Sequence, residues 1–379
     1  MSKIWLSLAH MGGGEMEYIR EAFDTNWVTP LGPNVDGFEN DIKDWLIRQG
    51  GEEKQITALA SGTSAIHLAL VLLGIGKGDE VICQSFTFAA SANPICYVGA
   101  TPVLVDSEEG TWNISPELLE EAIVDRKKKS GKLPRAIIVV HLYGVPARMN
   151  EIKAIADRYG IPVIEDAAEA MGSIYDGKPC GTLGSYGIFS FNGNKMITTS
   201  GGGALICNSK TDSDKAKFYA TQAREPFPWY QHEKIGYNYR MSNISAGIGR
   251  GQMQTLDYHV ERRRAIHNMY TEKLRNIHGI TVKEPQSDAP MKANFWLTCI
   301  EIDSTITGKT RDEIAAQLAA ADIESRPLWK PMHMQPVFAQ APAYTNGVSQ
   351  TAFERGLCIP SGPMVTDENI DYIVDQLTK

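Results

Sequence analysis

From about Ile56 to Ile206 the chain alternates short apolar runs with stretches of helical period. Ile56–Ala60 reads as a strand, and Ser61 can cap the helix whose apolar positions include Ile66, Leu70 and Leu73. Glu80–Gln84 and Pro102–Val105 read as strands, with a helical stretch at Phe88–Tyr97 between them. Pro116–Arg126 reads as a helix. Ala136–Val140 is almost uniformly apolar, as a strand buried on both faces should be. Met149–Tyr159 is helical and Pro162–Ile164 returns to strand; Gly187–Phe191 and Gly203–Cys207 are two strands more. This alternation predicts an α/β fold with a mostly parallel central sheet flanked by helices.

Ser242 or Asn243 opens a long helical stretch with Met253, Leu256, Val260, Met269 and Leu274 mostly on one face. Beyond it come a strand at Phe295–Ile302, a helix at Thr310–Ala320, a Pro-containing stretch from Pro327 to Pro342 and a last helix from Asp367. The pattern predicts a large domain over 1–260 and a smaller C-terminal α+β domain over 261–379. A length of 379 residues fits two such units.

Composition narrows the picture in a few places. A net charge of −8 argues against a general nucleic-acid binder, which needs clustered Lys and Arg. The one dense basic run, Arg262-Arg263-Arg264, has Asp257, Glu261 and Glu272 nearby and reads as a solvated helix face. None of Cys83, Cys96, Cys180, Cys207, Cys299 and Cys358 forms a Cys-x-x-Cys pair, so free thiols are expected and no metal. The N-terminal MSKIWLSLAHMGGGE lacks a signal-peptide core, and no apolar run reaches the ~18 residues of a membrane span. A cytoplasmic location is expected by elimination.

Three segments carry candidate chemistry. Ala60-Ser61-Gly62-Thr63-Ser64-Ala65 joins a strand to a helix; its free amides and small residues can cradle a phosphate, or simply cap the helix. Ile164-Glu165-Asp166-Ala167-Ala168-Glu169 ends a buried strand in a carboxylate, at the edge where α/β sheets bind ligands. Asp166 there can keep a pyridinium nitrogen protonated, making pyridoxal phosphate an electron sink, or cap a helix. Phe189-Ser190-Phe191-Asn192-Gly193-Asn194-Lys195, followed by Thr198-Thr199-Ser200-Gly201-Gly202-Gly203, places a lysine on a tight small-residue loop between two strands, the setting of a Schiff-base lysine. Any one of the three is weak; together they favour a pyridoxal-phosphate site. Gly12-Gly13-Gly14 precedes any strand, and no Gly-x-Ser-x-Gly or His-Glu-x-x-His occurs, which disfavours dinucleotide, hydrolase and metalloprotease folds.

These segments, with Thr87-Phe88, Gly99-Ala100-Thr101-Pro102-Val103 ending at Asp106, His141-Leu142-Tyr143-Gly144 and Gly236-Tyr237-Asn238-Tyr239-Arg240-Met241, resemble in order the DegT/DnrJ/EryC1/StrS sugar aminotransferases, of pyridoxal-phosphate fold type I. The resemblance implies that Lys195 is the catalytic Schiff-base lysine and proton carrier. It implies that Asp166 meets the pyridine nitrogen, that Phe88 stacks on the ring and that Glu169 lies near the 3-hydroxyl. Gly62, Thr63 and Ser190 would hold the phosphate. Asn238 would reach the neighbouring subunit's cofactor, implying a homodimer with shared sites. Thr199-Ser200-Gly201-Gly202-Gly203 departs from the family's commoner Thr-Gly-Glu-Gly-Gly, which implies altered loop contacts.

Asp24-Thr25-Asn26-Trp27 with Pro30-Leu31-Gly32-Pro33, and Arg326-Pro327-Leu328-Trp329-Lys330-Pro331-Met332-His333, are similar to aminotransferases acting on UDP-4-keto-6-deoxy-N-acetylhexosamines. That resemblance implies a nucleotide-sugar substrate held by Asn26, Trp27, Arg326, Trp329, Lys330 and His333, with L-glutamate as amino donor. The basic residues would meet a diphosphate and the tryptophans a sugar or uracil face. A dTDP-linked keto sugar is the alternative substrate. A sugar dehydratase of the same fold is disfavoured, since in such enzymes histidine stands at the position of Lys195. A silent ligand sensor is disfavoured by the intact lysine.

Overall fold

The computed structural model describes residues 3–379. Its main sheet is built from β1 (Gln55–Leu59), β2 (Glu80–Gln84), β3 (Thr101–Val105), β4 (Ala136–Val140), β5 (Val163–Asp166), β6 (Tyr186–Ser190) and β7 (Gly203–Cys207). The C-terminal part adds β8 (Ile280–Val282), β9 (Thr298–Ile302), β10 (Arg326–Pro327), β11 (Ala343–Tyr344) and β12 (Gly356–Ile359). The order in the eight-stranded sheet is β1-β7-β6-β5-β4-β2-β3-β11. It is mixed: β7 runs antiparallel to both its neighbours, and every other pair is parallel. A second sheet has the order β8-β9-β12-β10, all antiparallel.

Helices cover the main sheet on both faces. α1 (Glu15–Asp24) and α2 (Pro33–Arg48) precede the first strand. In α2, Pro33 sits in the first turn and Val35, Phe38, Ile42, Trp45 and Leu46 are buried in the core. α3 (Gly62–Leu72) is capped by Ser61, whose hydroxyl accepts the Ser64 amide while the Ser64 hydroxyl accepts the Ser61 amide. α4 (Ala89–Tyr97), α5 (Pro116–Ser130), α6 (Met149–Tyr159) and α7 (Lys210–Ala220) follow. Every residue of β4 is buried, matching its continuous apolar run.

The long helix expected from residue 243 is two helices, α8 (Asn243–Met253) and α9 (Leu256–Leu274). At the break the Gln254 and Thr255 amides bond to the Gly251 and Gln252 carbonyls, tightening the last turn, and Thr255 leaves helical geometry. We propose that the boundary between the two units falls at 260/261, inside α9. The chain crosses it in both directions: Ile4 pairs with Ile323, and β11 returns to the main sheet beside β3.

The Arg262-Arg263-Arg264 run is not a solvated face. Arg263 is buried and its guanidinium donates to the Trp296 and Ser361 carbonyls and to Ser7 Oγ. Arg264 donates to the Ala293 and Gly172 carbonyls, and Arg262 to the Val365 carbonyl. The run stitches α9 to loops distant in the chain. The six cysteines are free; Cys96 is exposed and the other five are buried. Among the described residues no helix is long and apolar enough to cross a membrane.

Candidate active site

A cavity of about 580 Å³ opens between the two sheets. Gly62, Thr63, Phe88, Asp166, Glu169, Ser190, Lys195, Arg326 and Trp329 all line it. One wall is the N-terminus of α3. Its capping box satisfies the Ser61 and Ser64 amides, and among the described residues nothing accepts from those of Gly62 and Thr63. A Cβ on Gly62 would stand 3.1 Å from Ser190 Cβ and 3.5 Å from its hydroxyl oxygen. Free amides, the helix dipole and two hydroxyl side chains thus converge on a cradle open to an anion.

Asp166 ends β5 and is buried at the cavity wall. Its Oδ2 accepts from Ser91 Oγ at 2.6 Å and its Oδ1 from the Ala168 amide at 3.2 Å. No helix starts at this residue. Lys195 lies on the loop between β6 and β7. The loop is pinned on both sides of it: Ser7 Oγ and Trp296 Nε1 both donate to the Asn194 carbonyl, and His259 Nδ1 meets that of Met196.

The Lys195 ammonium lies 3.1 Å from Glu169 Oε1 and 4.0 Å from the centre of the Trp296 ring. Glu169 Oε2 accepts the Tyr143 amide at 2.7 Å. Burial pushes the Glu169 carboxyl above its ordinary range; Lys195 and the Tyr143 N–H pull it back only in part. Phe88 is no core aromatic: it is 58% exposed and presents its ring to the cavity, 5.4 Å from that of Trp329. Arg326 is held by Glu324 Oε1, with Nη2 at 2.8 Å and Nε at 3.2 Å.

Asn26, Trp27, Asn238, Lys330 and His333 do not line this chain's cavity. Asn26, Trp27 and Asn238 are exposed. His333 Nδ1 pairs with Ser85 Oγ at 2.7 Å, and burial lowers its pKa. The basic trio expected at the substrate reduces, within the cavity, to Arg326. Ser91, Trp296 and Glu324 complete the site without any local sequence signal, since each reaches it from elsewhere in the chain.

An anion cradle at a helix N-terminus, a carboxylate at a neighbouring strand end and a paired lysine on a pinned loop together fit pyridoxal phosphate, and define the class as a pyridoxal-phosphate-dependent enzyme. The model of the DegT/DnrJ/EryC1/StrS aminotransferase family matches residues 10–378, and the chain belongs to that family. It is 49% identical to EpsN of Bacillus subtilis (strain 168), assigned as a pyridoxal phosphate-dependent aminotransferase, over 99% of this chain and 95% of that one. It is 37% identical to the GDP-perosamine synthase of Caulobacter vibrioides, covering 100% and 98%. A crystal structure of a DegT/DnrJ/EryC1/StrS aminotransferase from Brucella abortus superposes with a TM-score of 0.87 at 32% identity, over 96% of this chain and 94% of that one. The cofactor is pyridoxal phosphate.

Proposed function

We propose that the protein moves the amino group of L-glutamate to C4 of a nucleotide-linked 4-keto-6-deoxy sugar, in the first place UDP-2-acetamido-2,6-dideoxy-hexos-4-ulose. The products are 2-oxoglutarate and a UDP-4-amino sugar for glycan or surface-polysaccharide synthesis in the cytoplasm. The reading is carried by one observation: the free α3 amides, Asp166 and the Lys195–Glu169 pair share a single cavity.

Bound pyridoxal phosphate supplies an electron sink. Gly62, Thr63 and Ser190 would hold its phosphate, and Asp166, oriented by the Ser91 hydroxyl, would face the ring nitrogen. Phe88 covers one ring face. Lys195 Nζ anchors the cofactor and moves the donor's proton, while Glu169 supplies its counter-charge. Arg326, on leaving Glu324, receives the carboxylate or diphosphate of a substrate, and Trp329 forms the wall for the sugar. Donor and acceptor use the same cavity in turn, which gives ping-pong kinetics.

Asn26, Trp27 and Asn238 act on the cavity of a second copy in this reading. It is supported by exposed apolar side chains just before Asn238: Trp229 at 60%, Tyr230 at 78% and Ile235 at 86%. Lys330 and His333 act from behind the wall, through its placement.

A GDP-linked acceptor is the second reading. It is favoured by relatives named GDP-perosamine synthase at 37% and 36% identity. A panel of UDP-, GDP- and dTDP-linked 4-keto sugars with glutamate, followed by NMR of the C4 proton, separates the readings. Transfer to the UDP sugar is expected. Full activity in Lys195→Ala, or no coenzyme fixed to Lys195 by borohydride, would overturn the assignment.

A further inference from the structure

Tyr143 adopts a backbone conformation that an aromatic residue rarely takes, with φ 54° and ψ 18°. The turn is locked from outside. Gly144 follows at φ 88°, against Asn294 Oδ1, and Asn294 Nδ2 donates to the Glu169 and Met171 carbonyls. The turn aims the Tyr143 amide into the site, where it donates to Glu169 Oε2 at 2.7 Å. At its other end the Tyr143 hydroxyl accepts the Trp329 amide at 2.9 Å. The ring between them lies 5.1 Å from that of Trp329 and 6.5 Å, nearly parallel, from that of Trp296. One residue therefore touches the partner of Lys195, the aromatic beneath Lys195 and the wall across the cavity.

We propose that Tyr143 is a positioning residue that fixes the acceptor-side wall at Trp329 relative to the Lys195–Glu169 pair. Its main chain sets the carboxylate and its hydroxyl sets the wall. Removing the hydroxyl leaves the backbone turn, and hence the Glu169 contact, in place, but frees Trp329. The damage falls on the acceptor and spares the donor. Strain of this kind is stored where a fold must place groups that packing alone would not. The inference rests on the keto-sugar reading for what occupies that wall.

Tyr143→Phe is the test, in the holoenzyme. The KM for the keto sugar should rise about tenfold with kcat within about twofold, the signature of lost ground-state and transition-state binding alike. The half-reaction with glutamate, and the pH midpoint of the cofactor's visible band, should not move. In a Trp329→Ala background, Tyr143→Phe should add nothing to KM. Amide hydrogen exchange at Trp329 should quicken in Tyr143→Phe. An unchanged KM, an equal rise in both backgrounds or an equal loss in the glutamate half-reaction would overturn the proposal. If wild-type protein takes no amino group from glutamate, the assigned function falls instead, and the exchange measurement still decides the role of Tyr143: unchanged exchange sinks it.

Discussion

Gly62→Ala probes the anion cradle with a single methyl group. The new Cβ would stand 3.1 Å from Ser190 Cβ, 3.5 Å from Ser190 Oγ and 3.5 Å from the Phe189 carbonyl oxygen. The first contact is tighter than relaxed packing allows, so either the first turn of α3 or Ser190 must give by a few tenths of an ångström. Both border the space that a phosphate would fill. A hydrogen bond to a charged group contributes about 1.5–3 kcal/mol. Misplacing one such bond should weaken binding about 10- to 150-fold. The fold should hardly notice, because alanine is a better helix residue than glycine by about 0.5–1 kcal/mol, which offsets the local crowding. Pyridoxamine 5′-phosphate is the right probe, since it forms no covalent bond to Lys195 and reports the non-covalent contacts, of which Gly62→Ala alters only the cradle. Calorimetric titration of the apo-protein gives the affinity, and a thermal melt gives stability. An unchanged affinity at unchanged melting temperature would refute the placement of the phosphate.

Two further predictions concern stability. Burial depresses the His259 pKa from 6.5 to about 4. Between these values the unfolded chain binds a proton that the folded one does not, so stability falls as pH drops from about 6.5 toward 4; melts across that range should show the loss, and His259→Gln should flatten it. Arg263→Ala strands the Trp296 and Ser361 carbonyls in a buried setting and should cost at least about 3 kcal/mol; denaturant titration showing a loss under about 1 kcal/mol would contradict the assigned contacts.

Lys195, Asp166 and the α3 amides are legible in sequence because strand–helix alternation brings strand ends to one edge, and each of these groups sits at such an end. Trp296 and Ser91 are not legible. The first reaches Lys195 from a hundred residues downstream and the second reaches Asp166 from α4, and no local pattern marks a residue for its distant partner. The same blindness explains Arg263: charge counted along the chain sees Asp257 and Glu261, whereas the groups it serves are carbonyls at 296 and 361. α2 is a different case. Its apolar positions Val35, Phe38, Ile42 and Leu46 recur at helical spacing ahead of the first strand, yet no helix is among the elements expected there; it fills the core beneath β1. The family resemblance holds, while its finer reading of Asn26, Trp27 and Asn238 concerns exposed groups that do not line this chain's cavity.

The stretch from β10 to β11 begins in the small sheet and ends in the large one, carrying Trp329 between them. It works as a clasp with both ends fastened. Cutting the chain after residue 279 would remove the smaller sheet and also strip β11 from β3, whose Leu104 amide bonds to the Pro342 carbonyl. A catalytic core trimmed from the C-terminal side would therefore carry a raw sheet edge, open to pairing with its copies, and excising the smaller unit while leaving the larger intact would require rejoining the chain at β11 and ending it before β12.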